Sequence, residues 1–85
     1  MSPLEALADV RGYAAANRIR FTDHAHGRMM ERGAVPADVR CALMGATACR
    51  AQPSARWRVE GLDRDGDAMT VVVALEDGVL VVTMF

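Results

Sequence analysis

Eighty-five residues fall below the usual domain size of about 100–150, so the chain is expected to form one compact domain, 1–85, with no separate regulatory module. A composition of 52% hydrophobic and 25% charged residues excludes a disordered tail or a collagen-like repeat. The net charge of −1 excludes a generic basic coat for nucleic acid, yet its distribution is uneven: the segment through Arg58 carries +4, the remainder −5, and all ten cations are arginines.

Ser2 can cap a helix with Pro3 at its first position and Glu5 in its first turn. Leu4, Leu7, Ala8, Val10, Arg11 and Ala14 follow at helical spacing, which predicts a helix to about Ala16. Ile19–Phe21 reads as a short extended link. Thr22 or Asp23 then caps a second helix ending at Gly33, and Pro36 opens a third, with Asp38 near its positive end and Gly45 as its stop. Beyond residue 46 the texture becomes Val-rich. Thr47–Gln52, Arg56–Leu62, Met69–Leu75 and Val79–Phe85 read as strands separated by turns at Pro53-Ser54, Asp65-Gly66 and Asp77-Gly78. The expected class is α+β, with two to three N-terminal helices packed on a four-stranded, mainly antiparallel sheet. Consecutive apolar residues over Thr70–Leu75 and Val79–Val82 predict strands covered on both faces, by the helices on one and by a helix, a second subunit or a partner on the other.

The segment from Phe21 to Gly33 carries the densest chemistry. At helical spacing His24, Arg28 and Arg32 form a polar stripe, with Phe21, Ala25 and Met29 as an apolar stripe beside it. Two guanidinium forks can hold phosphate oxygens, and a neutral imidazole near a helix N-terminus can act as a base. The competing reading is structural: Arg28 and Arg32 pair with acids such as Glu60 or Asp63, and His24 bonds a backbone carbonyl. His26 points elsewhere on the helix and becomes the alternative histidine if His24 is buried. On the third strand Arg56, Arg58 and Glu60 alternate onto one face, opposite Trp57 and Val59. That row can line an RNA groove, or form a cross-strand ion-pair row; Trp57 and Tyr13 read as packing residues.

Cys41 and Cys49 lack a partner motif for a disulfide scaffold or a zinc site. Asp63, Asp65 and Asp67 resemble a calcium loop only faintly, because the glycine is misplaced and Ala74 stands where a bidentate Glu is needed. No Walker loop, GxGxxG, HExxH or GxSxG is present, so neither a cofactor nor a metal is expected. The segment MSPLEALADV lacks a basic leader followed by an apolar run, and no stretch approaches the length of a membrane span, so a soluble cytoplasmic protein with no membrane partner is expected.

FTDHAHGRMMERG, followed by the Asp-Val helix and the Val-rich meander, resembles a small bacterial family catalogued as domain of unknown function number four-two-five-eight, over roughly residues 18–85. The matching positions are Thr22, His24-Ala25, Arg28-Met29 and Glu31-Arg32-Gly33; residues 1–17 fall outside the resemblance as an N-terminal helix. The resemblance implies a RelE-like fold related to the RelE, ParE and BrnT toxins, which are commonly metal-independent endoribonucleases restrained by an antitoxin. On that basis the candidate catalytic residues are His24, Arg28, Arg32, Arg58 and Glu60. His24 or Glu60 would be the general base, and the arginines would stabilise phosphoryl charge. The implied partners are a cognate antitoxin protein and RNA, ribosome-bound mRNA included; the small core adds a homodimer to the expectations. The alternatives are a non-catalytic RelE-like protein-interaction module and a homodimeric structural domain.

Overall fold

The capping and turn signals translate into the backbone almost position by position. The computed structural model describes residues 1–85, in the order α1 (Pro3–Ala15), β1 (Ile19–Phe21), α2 (Asp23–Arg32), α3 (Pro36–Met44), β2 (Ala48–Gln52), β3 (Arg56–Leu62), β4 (Ala68–Leu75) and β5 (Val79–Met84). Ser2 and Glu5 form a reciprocal capping box at the start of α1, and this holds the Glu5 carboxyl below the usual carboxylate range through its bond to the Ser2 amide. Asn17, just beyond the end of α1, takes the left-handed conformation that Asn tolerates. The last turn of α1 has no cation of its own. Arg40 of α3 supplies one, donating from Nε to the Ala14 carbonyl at 2.8 Å and from Nη2 to the Ala15 carbonyl at 3.0 Å.

The sheet has five strands rather than the expected four, in the order β1-β5-β4-β3-β2. The segment expected to be a link, Ile19–Phe21, pairs parallel with Val79–Val81, and the other pairings are antiparallel. Three residues carry too little local pattern to announce a strand, and a parallel partner sixty residues away is a long-range choice. The β2–β3 turn also extends one residue beyond Pro53-Ser54: Ser54 and Ala55 both take positive φ.

One sheet face is packed by α1 and α3. Val59, Met69, Val71, Val73, Val79, Val81 and Met84 join Val10, Ala14, Val39, Ala42 and Leu43 in a core from which water is almost excluded. Helix α3 lies so close to β3 that a Cβ placed on Gly61 would sit 2.1 Å from the Ala42 carbonyl oxygen. The opposite face departs from the expectation of cover on both sides, because no element of the chain lies over it and Thr70, Val72, Ala74, Leu80 and Val82 remain half-buried. None of the three helices is long and apolar enough to cross a membrane.

The remaining helix covers an edge. Strand β1 pairs with β5 only as far as Val81, where the ladder shifts register opposite Val72 and Val73. From there α2 takes over. The Thr22 amide donates to the Val81 carbonyl at 3.0 Å, the Thr22 hydroxyl donates to the Val82 carbonyl at 2.9 Å, and Arg28 Nε donates to the Met84 carbonyl at 3.1 Å. Carbonyls along the edge of β5 are thereby satisfied, which protects an apolar strand from pairing with another chain.

Candidate functional site

Alternation along the strands sorts the outward face into three cross-strand rows. Gln52, Arg56, Ala74, Leu80 and Arg20 form the first; Arg50, Arg58, Val72 and Thr83 the second; Ala48, Glu60 and Thr70 the third. Phe85 extends the third row, since it exchanges two 2.8 Å backbone hydrogen bonds with Thr70. The face therefore presents four arginines against one carboxylate.

Helix α2 delivers its polar stripe to the β5 side of this face. Its start is set by Thr22, whose hydroxyl accepts the Ala25 amide at 3.1 Å, and its end by Gly33 in the left-handed conformation. Ala25 and Met29 are buried one turn apart, which turns His24, Arg28 and Arg32 outward. His24 is exposed, and its Nε2 is hydrogen-bonded to Thr83 Oγ1 at 3.0 Å. His26 is also exposed, its ring tilted by 42° against Phe21 at a centroid distance of 5.4 Å.

The ion pairs expected for the stripe do not form. Arg28 pairs with Glu31 one turn along its own helix, at 3.2 Å, rather than with Glu60 or Asp63. Arg32 donates to the Ala68 carbonyl at 2.7 Å. A guanidinium has five N–H donors, so both side chains keep free donors after these contacts. Arg28, Glu31, Arg32, Met84 and Phe85 line an open cleft of about 340 Å³.

Arg58 reaches the same place from the far side. Its guanidinium lies 5.1 Å from the centroid of the Phe85 ring, and its Nε is buried without a hydrogen-bond partner. Glu60 shares the third row with Phe85, with Thr70 between them, and is joined to Arg50 at 3.6 Å. The ring of Phe85 is thus the common neighbour of Arg28, Arg32 and Arg58, with His24 two residues back along the strand at Thr83. Phe85 and Arg50 escaped the sequence reading. The signal for Arg50 was the hairpin register about the 53–55 turn, which sets it directly opposite Arg58.

Other candidate chemistry lies elsewhere. Arg64 Nε donates to Asp38 Oδ1 at 2.8 Å while Asp38 Oδ2 accepts the Val35 amide at 3.1 Å. The Arg64 bond, then the amide, holds the Asp38 carboxyl below its usual range, and the same contact raises Arg64. Cys41 and Cys49 are free and half-buried, and burial pushes the Cys49 thiol up. The ligand atoms of Asp63, Asp65 and Asp67 lie within 4.8 Å of one another, but Asp63 Oδ1 accepts the Asp65 and Asp67 amides at 2.9 Å and organises the β3–β4 turn. No family model, curated protein or solved structure matches the chain.

Proposed function

We propose that the chain is a metal-independent endoribonuclease of RelE-like type, the toxin of a bacterial toxin–antitoxin pair, with its RNA site on the outward sheet face beside α2. The observation that carries this reading is the convergence of Arg28, Arg32 and Arg58 on Phe85, next to a histidine held at Thr83. In this mechanism His24 Nε2 leaves the Thr83 hydroxyl and takes the proton of a ribose 2′-hydroxyl. The oxygen attacks the adjacent phosphorus and the bond to the 5′ oxygen breaks, leaving a cyclic phosphate and, after protonation by water, a 5′-hydroxyl. Free N–H donors of Arg28, Arg32 and Arg58 stabilise the charge that builds on the phosphoryl oxygens. Glu60, paired with Arg50, is the less suited base. A cytoplasmic antitoxin would silence the toxin by covering the outward face.

The test is cleavage of a mixed RNA, free with chelator present and on translating ribosomes in magnesium buffer. Wild type should cleave, and His24→Ala should lose about 100-fold or more in rate, the usual worth of a general base, with its melting temperature kept. A folded wild type that cleaves neither substrate, or cleavage abolished by chelator, refutes the mechanism. The half-exposed strip of Val72, Ala74, Leu80 and Val82 favours a second reading, a non-catalytic protein-docking module or homodimer. Under that reading His24→Ala and Arg28→Ala lower stability and no RNA is cut.

A further inference from the structure

The ten arginines divide into two groups. Arg11, Arg18, Arg20, Arg28, Arg32 and Arg40 donate to backbone carbonyls, and Arg64 donates to Asp38. The side chains of Arg50, Arg56 and Arg58 make no hydrogen bond, and all three project from one face of the β2–β3 hairpin. Arg50 stands directly opposite Arg58 across the ladder, an arrangement of like charges that disfavours the bare hairpin. Their two rows hold no carboxylate, and Glu60, in the neighbouring third row and 3.6 Å from Arg50, is the one acidic side chain of the three rows. Such a group of cations is matched by a polyanion, and a row of phosphates is the charge pattern it fits.

Phe85 adds a second, independent feature. Phe85 is 45% exposed, its ring is underlaid by the Arg58 guanidinium, and it lines the cleft of Arg28 and Arg32. An exposed ring beside cations is a stacking surface for a base, and inside a duplex both faces of every internal base are already stacked. From β5 to β2 the path crosses three inter-strand steps, roughly 14 Å.

We infer that the outward face is a subsite for single-stranded RNA, one base lying on Phe85 and the backbone phosphates running across the strands past Arg58 to Arg50 and Arg56. The inference rests on the reading of this face as the RNA site and names its substrate class. It is tested with a fluorescent 2′-O-methyl RNA oligonucleotide, which binds but lacks the attacking hydroxyl, and with the corresponding blunt duplex, by anisotropy over a salt series. Single-strand binding should weaken with salt, and Arg50→Ala and Arg56→Ala should each flatten the log–log slope by about 0.7, one phosphate contact apiece. Phe85→Leu should weaken single-strand binding about tenfold and leave the slope unchanged. Unchanged slopes, an unaffected Phe85→Leu variant, equally tight duplex binding, or no binding by folded wild type each overturn the inference. Cleavage of unmodified RNA, free and on translating ribosomes, is scored separately. Cleavage with unchanged slopes removes the subsite and keeps the nuclease, whereas the predicted slopes without cleavage keep the subsite and remove the nuclease.

Discussion

Thr22 is the residue on which the placement of the candidate site turns, because one hydroxyl both starts α2 and ties it to β5. It accepts the Ala25 amide at 3.1 Å as an N-cap and donates to the Val82 carbonyl at 2.9 Å, where the β5 ladder slips. Thr22→Val keeps the shape and removes both bonds. Loss of the cap costs about 1 kcal/mol. Loss of the half-buried donor to Val82 costs about 1 kcal/mol more. The sum, about 2 kcal/mol, corresponds to a fall of about 8–16 °C in melting temperature for a domain of this size. Thr22→Ser retains both bonds and should stay within about 0.5 kcal/mol of wild type. Thr22→Asp can cap but cannot donate, and should fall between the two. Urea and thermal unfolding followed by circular dichroism measure all three variants. Equal stabilities for Thr22→Val and Thr22→Ser would refute the claim that the hydroxyl docks the helix.

Gly61→Ala places a methyl 2.1 Å from the Ala42 carbonyl oxygen, so α3 must lift from β3; a loss of about 3 kcal/mol in urea unfolding is expected, and a loss below about 1 kcal/mol shows that the contact is soft. The Asp38 carboxyl, depressed mainly by the Arg64 bond, contributes stability that is present above the ordinary carboxylate pKa and disappears as pH falls through its lower folded value. Asp38→Asn should therefore flatten the fall in stability below about pH 4 relative to wild type, and superimposable acid limbs exclude this role.

Much of the fold was legible because its signals are local. Ser2-Pro3-Leu4-Glu5, Thr22 and Gly33, and Pro36 with Gly45 mark helix ends within a residue or two, and the Asp-Gly turns separate strands whose apolar runs are unmistakable. The polar stripe of α2 was equally readable, since a spacing of four residues puts side chains on one face whatever the surroundings. Its partners were not. Carbonyls at Ala68 and Met84 have no signature in sequence, so the expected pairing of Arg28 and Arg32 with distant acids gave way to backbone acceptors and to Glu31.

By itself, then, the sequence determined the elements, their ends and the faces on which side chains emerge, because caps, turns and periodicity act over a few residues. The tertiary structure alone decided that Ile19–Phe21 would be a strand, that α2 would close the edge of β5 and that Phe85 would lie between Arg28 and Arg58. Those outcomes depend on which unsatisfied carbonyls and apolar surfaces meet when segments some sixty residues apart come together. The choice is made by burial and hydrogen-bond satisfaction of the whole molecule.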